Sequence, residues 1–280
     1  MTLERCGQLK EFAVSRFARL YPTYWCALSV SGALILAWPL PGQHVTLLQI
    51  FVNFSMLHDF LGVGSVDTVY WSLAYEMGFY ALAGLVLLAG VKRHAEVLGA
   101  CWVLIALVLL KLLPQVGTEI PWRVQLATAL PYAGLFTAGL TFYKIWSAGI
   151  NRWRVGLLVL CYSQRVVFSG EKTLAFTTLF FIIFIFCVSG RAAFLNHRIL
   201  LWLGAISYPL YLTHAVVGVR MQLTLHMLGL PAWPNLVLCT TAALGLASAT
   251  SWYVERPAGR MIRDTAARWS AEAAAVPTPT

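Results

Sequence analysis

The chain has 280 residues, of which 59% are hydrophobic and 11% charged, with a formal net charge of +9 and a mean hydropathy of +0.73. A soluble domain carries about 25% charged residues, so this composition excludes an ordinary water-soluble globule. Apolar runs that continue to residue 253 exclude a lone signal peptide ahead of a soluble domain, and the positive charge is assigned to basic residues gathered on one side of a membrane rather than to nucleic acid.

The first dozen residues are polar. Apolar segments follow at 24–38, 45–57, 71–91, 97–113, 124–143, 155–168, 174–189, 200–219 and 236–254. All are expected to be helices, because a bilayer core offers backbone groups no other partner. The first ends at the turn Pro39–Pro41. The second is too short to cross comfortably, since a span needs about 20 residues, and it ends on His58 and Asp59. Counting it as non-spanning leaves eight spans, and fifteen of the twenty Lys and Arg then fall on the side of the N-terminus. Counting it as spanning destroys that contrast. The positive-inside rule therefore predicts an all-α polytopic protein of about eight transmembrane helices plus one re-entrant or interfacial helix on the outer side, with both termini cytoplasmic. Residues 1–268 form one membrane domain in this reading, and 269–280, rich in Ala, Pro and Thr, a disordered tail. The six cysteines are dispersed and form no CxxC or Cys/His cluster, so neither a disulfide framework nor a metal site is expected.

Ionisable groups inside spans are costly and mark function. Glu76 lies in Val69-Tyr-Trp-Ser-Leu-Ala-Tyr-Glu-Met-Gly-Phe-Tyr80, where helical spacing sets Ser72, Glu76 and Tyr80 on one face. The alternative role is a structural carboxyl bonded to a neighbouring Tyr or Arg. His214 lies in Ile206-Ser-Tyr-Pro-Leu-Tyr-Leu-Thr-His214, with Ser207 and Tyr211 on its stripe and Pro209 expected to kink the helix. Glu76 and His214 are expected at comparable depth, where they could orient each other or relay a proton; a packing histidine is the alternative. Arg16 and Arg19 sit at the inner mouth of the first span beside Tyr21, Tyr24 and Trp25. They are either a positive-inside anchor with its aromatic belt or a fork for the phosphates of a nucleotide-like ligand. Glu255 and Arg256 end the last span and are read as a helix cap. Asp59 and Asp67 fall in the outer loop, as solvated carboxylates or as substrate contacts. No P-loop, GxSxG, HExxH or strand-borne GxGxxG occurs.

Four segments together carry a resemblance. They are Arg16-Phe-Ala-Arg-Leu-Tyr-Pro-Thr-Tyr-Trp25, Val69-Tyr-Trp-Ser-Leu-Ala-Tyr-Glu76 with Phe79-Tyr80, Ser207-Tyr-Pro-Leu-Tyr-Leu-Thr-His214, and Tyr253-Val-Glu-Arg-Pro257. In order and spacing the chain resembles the membrane-bound acyltransferase 3 family, which includes bacterial O-antigen and exopolysaccharide O-acetyltransferases. The resemblance implies transfer of an acyl group, usually acetyl, from cytoplasmic acyl-CoA to a hydroxyl of a carbohydrate or lipid-linked glycan, in the bacterial inner membrane and with no bound cofactor. It implies that Arg16 and Arg19 help bind the CoA end. It further implies that Glu76 is the carboxylate of a motif containing Trp71 and Ser72, and that Tyr208, Tyr211 and His214 form a second motif. The family core has ten helices, and its first carries an Arg and a His treated as catalytic. The chain is expected to lack the first two helices, which precede the Arg16 segment in the family. A non-catalytic scaffold or degenerate relative, and a small-anion transporter, are the competing functions.

Overall fold

The computed structural model describes residues 9–39 and 44–275, and side chains as far as 269. Arg5, Cys6, Pro41 and residues 276–280 of the expected tail lie outside them. The described residues are helical without a strand: α1 (Leu9–Ala37), α2 (Leu47–Asn53), α3 (Trp71–Leu88), α4 (Ala95–Leu112), α5 (Trp122–Thr128), α6 (Ala133–Ala148), α7 (Arg152–Phe168), α8 (Glu171–Val188), α9 (Arg198–Met227), α10 (Ala232–Thr250) and α11 (Arg256–Ala275). Among the described residues six helical stretches are long and apolar enough to cross a membrane: Leu9–Ala37, Thr68–Leu88, Lys92–Val116, Glu171–Val188, Arg198–Met227 and Ala232–Trp269. The two other expected spans are shorter, α6 having 16 residues and α7 having 17. The last helix continues to Ala275, into the stretch expected to be tail.

The expected helix over 124–143 is broken. Helix α5 stops at Ala129, whose φ of 45° lies in the left-handed region, and the turn Leu130–Tyr132 leads into α6. Pro131 has no N–H to bond the Ala127 carbonyl, and in a continuous helix its ring would clash with that carbonyl.

The chain divides into two units, Met1–Leu9 with Ala74–His197, and Lys10–Leu73 with Arg198–Thr280. In the first, small residues let backbones approach, as membrane helices do in place of a hydrophobic drive. Ala100, Val103 and Ala106 of α4, Ala133, Ala138 and Phe142 of α6, and Leu157 and Cys161 of α7 form its core. Phe79, Trp102 and Phe136 stack beside it, with Phe79 and Phe136 centroids 4.2 Å apart. Arg154 is anchored by Glu96 at 2.8 Å and by the carbonyls of Ala148 and Gly149.

Helix α3 passes close to the end of α5 at Gly78. A Cβ there would stand 2.4 Å from the Leu126 carbonyl oxygen and 3.0 Å from that of Ala127. Both neighbours are backbone and cannot swing aside. Gly78→Ala is expected to cost about 1–3 kcal/mol and lower the melting temperature of the detergent-solubilised protein. Gly139→Ala, where a Cβ would meet no atom of another element within 4 Å, is the control and should leave the melting temperature unchanged or slightly raised, since Ala favours the helix.

In the second unit, α1 and α9 run parallel. Tyr208 Oη donates to the Leu20 carbonyl at 3.1 Å, and Arg220 Nε donates to the Trp38 carbonyl at 3.2 Å. Helix α2 and the residues after it fold back along α1. Three aromatic donors of α1 hold the carbonyls that follow α2: Tyr24 Oη on Asn53, Trp25 Nε1 on Phe54 and Tyr21 Oη on Ser55, at 2.9–3.0 Å. Tyr21 lies sixteen residues before Ala37, so at 1.5 Å per residue the chain runs back about 24 Å from the C-terminal end of α1. The expected non-spanning segment at 45–57 is thus a deep re-entrant element. Its return limb is pinned by Asn53, whose Nδ2 donates to the carbonyls of Gln49 and Gly64 and whose Oδ1 accepts from Val66 N–H at 3.1 Å. Asn53 is fully buried. Asn53→Ala would strand the buried Val66 N–H, costing about 1–3 kcal/mol where no water reaches, while the Gly64 carbonyl would keep its bond from Gln49 Nε2. A clear fall in melting temperature is expected; an unchanged one would show that the limb is held by other means.

Candidate active site

The re-entrant limb delivers Asp67 into the second unit. Asp67 is 1% exposed, which corrects the expectation of a solvated loop carboxylate. Its Oδ1 accepts from Val69 N–H and caps the turn Thr68–Tyr70 that opens α3. Its Oδ2 accepts from Val216 N–H in the middle of α9, also at 3.3 Å. Burial raises its pKa above the usual carboxylate range, a shift moderated by those two N–H groups and by the nearby His214 and Arg220. Below it on the same limb, buried His58 bonds Ser65 Oγ at 3.0 Å and lies 3.6 Å from Asp59. Burial lowers the His58 pKa and raises that of Asp59.

Tyr211 joins this limb to α9. Its hydroxyl donates to the Val69 carbonyl at 2.5 Å. With its one proton so placed, it accepts from Ser72 Oγ at 2.7 Å. Ser72 and Tyr211 are therefore brought together as one pair. Ser207, expected on the stripe, turns back to the Gly204 carbonyl. Trp71, at the start of α3, is about half exposed.

One turn beyond Tyr211, His214 Nδ1 lies 2.8 Å from the Tyr211 carbonyl and 3.2 Å from that of Leu210. Two acceptors facing one ring nitrogen require the proton to be there. In the neutral ring Nε2 then carries the lone pair, on a side chain that is exposed. Buried Pro209, one turn earlier in α9, has its carbonyl bonded by Thr213 Oγ1 at 2.9 Å.

At the other end of this unit, Pro22 of α1 lacks the N–H that would bond the Ala18 carbonyl. Gly259 of α11 packs against that carbonyl; a Cβ there would stand 2.9 Å from it. Arg16 and Arg19 flank Ala18 in sequence. Between α10 and α11 the chain makes a π-turn, Ser251–Glu255, a distortion enriched at functional sites. It sets Glu255 within electrostatic reach of Arg19 and Arg256. Arg256 lies over the Trp252 ring at 4.5 Å, and Arg16 is 5.8 Å from the Phe12 ring centroid.

The first unit carries Glu76. Its carboxylate accepts a hydrogen bond from Tyr80 Oη one turn along α3, and it is half-buried. Glu76 and His214 thus belong to different units; the bonded partner of the one is Tyr80 and those of the other are backbone carbonyls.

All four sequence motifs end in built features: an arginine pair on the N-terminal half of α1, a half-buried carboxylate, an imidazole with a directed lone pair and a π-turn. The acyltransferase domain of the acyltransferase 3 family matches residues 4–252. The chain belongs to that family. Neither the curated proteins nor the solved structures yield a match. In this acyltransferase 3 domain the matched region takes in the arginine pair, the re-entrant limb, Glu76 and His214. Four of its residues escaped sequence reasoning: Asn53, His58 as a buried group, Arg220 as a neighbour of Asp67, and Val216. Asn53 alone left a signal, a lone amide between apolar residues. Among the described residues no cluster of His, Cys, Asp or Glu is arranged to hold a metal ion.

Proposed function

We propose that this acyltransferase 3 protein moves an acyl group, acetyl in the simplest case, from cytoplasmic acyl-CoA to a hydroxyl of a carbohydrate or lipid-linked glycan. It would act in a bacterial inner membrane with both termini in the cytoplasm. The supporting observation is His214: its Nδ1 proton is held by two backbone carbonyls, so Nε2 is left to accept a proton. In the reaction the acceptor oxygen attacks the thioester carbonyl, its proton passes to a general base, the tetrahedral oxyanion draws on nearby donors, and the C–S bond breaks to release the CoA thiol. His214 serves as that base. Glu76, bonded to Tyr80 in the first unit, is the second catalytic group of the proposal, and Ser72, Tyr208, Tyr211, Trp71 and Asp67 support the unit that carries His214. Arg16 and Arg19 grip donor phosphates, which suit the guanidinium fork.

The deciding test is equilibrium binding of labelled acetyl-CoA to the purified protein. Binding by the wild type that is lost when Arg16 and Arg19 are both replaced by Ala supports the enzyme. No binding by the wild type favours the non-catalytic scaffold.

A further inference from the structure

We infer that the first unit holds an anion-binding site at the break between α5 and α6, built on Arg165 and suited to a carboxylate or phosphate group. Arg165 is in the last turn of α7 and is 7% exposed. Its Nη1 donates to the Pro131 carbonyl at 3.0 Å, within the break, and its guanidinium lies over the Tyr132 ring at 5.7 Å. Tyr132 in turn meets Tyr75 edge-on at 4.8 Å. The Arg165 Nε is buried and bonds nothing among the described residues, and the Ser169 hydroxyl, one turn further at the same helix end, is likewise buried and unpartnered.

No carboxylate among the described residues forms an ion pair with Arg165, whereas Arg154 of the same unit is paired with Glu96. A buried guanidinium without a counter-charge costs several kcal/mol. Arg165 sits on the carbonyl end of α7, and a positive helix end faces it from the break. The break creates the N-terminus of α6, a 16-residue helix, whose first N–H groups carry the positive end of its dipole. The preceding residue Gln164 takes up one of these, accepting from Gly134 N–H at 2.6 Å while donating to the Leu130 carbonyl at 3.0 Å. That bond fixes α7 against the break and leaves the neighbouring guanidinium as its charged member. The distribution of Lys and Arg puts this end of α7 on the outer side. The anion is therefore an acidic group met from that side, carried either by a glycan substrate or by a phospholipid.

The test melts the full-length protein in phosphatidylcholine nanodiscs while sodium phosphate or sodium glucuronate is added, against sodium chloride of equal ionic strength. A parallel series uses nanodiscs containing phosphatidylglycerol. The wild type is expected to gain several degrees in at least one series. Arg165→Gln should lose the gain, Arg165→Lys most of it, and Arg154→Lys none. A gain from phosphate or glucuronate assigns the site to a soluble acidic group, and a gain from phosphatidylglycerol alone assigns it to a lipid headgroup. No gain by the wild type in any series overturns the inference, as does an equal gain in Arg165→Lys, a variant that keeps the charge and serves where the Gln variant does not fold.

Discussion

Replacing Glu76 by Gln is expected to lower acyl transfer about a hundredfold or more, the range lost when a positioned acid–base group is removed. The exchange keeps the shape of the side chain and still leaves an oxygen to accept from Tyr80 Oη. What disappears is the negative charge, so a loss of transfer with unchanged expression and melting temperature isolates the electrostatic contribution. The companion variant Tyr80→Phe removes the hydroxyl donor and leaves the charge. If Glu76 acts on the acceptor, Tyr80→Phe should be the milder of the two. Wild-type transfer by Glu76→Gln, measured from labelled acetyl-CoA into membrane glycans, would reduce Glu76 to a structural partner of Tyr80.

The second large effect is expected on donor affinity. Hydrogen bonds to charged groups contribute about 1.5–3 kcal/mol each, so removing both Arg16 and Arg19 should weaken acetyl-CoA binding by about a hundredfold or more. Arg16→Lys with Arg19→Lys should recover part of it, because lysine restores charge without the two-pronged geometry. Affinity should fall with added salt in the wild type and lose much of that dependence in the double Ala variant. Equal binding by wild type and double Ala variant would leave the pair as a membrane anchor.

The helical, membrane-crossing character was legible because apolar runs of span length admit no other backbone arrangement in lipid. The break at Ala129–Tyr132 was not legible as a break: Leu130, Tyr132 and Ala133 are as apolar as the helices on either side, and Pro131 alone does not tell a kink from an interruption. The depth of the re-entrant limb was hidden for a related reason. Its polar residues at 53–67 resemble a solvated loop in composition, and only the aromatic donors of α1 reveal that they are buried. In the candidate site, the Glu76–Tyr80 contact followed from helical spacing, whereas the Ser72–Tyr211 bond joins residues 139 positions apart and no local pattern encodes it. Ser207 had the right spacing for the stripe, but a nearby backbone carbonyl claimed its hydroxyl, as serine in helices commonly does.

The three aromatic donors of α1 also impose an order on synthesis. The carbonyls of Asn53, Phe54 and Ser55 come to rest on Tyr24, Trp25 and Tyr21, and a chain dipping into lipid without such partners would carry several unsatisfied groups at a cost of kilocalories each. The limb therefore settles only after α1 has been inserted. Its closing ties, Val216 N–H on Asp67 and Tyr211 Oη on Val69, come from a helix made some 140 residues later in the chain. Until that helix emerges from the ribosome the hairpin is anchored along one side and open on the other, and its completion reports the arrival of the C-terminal half.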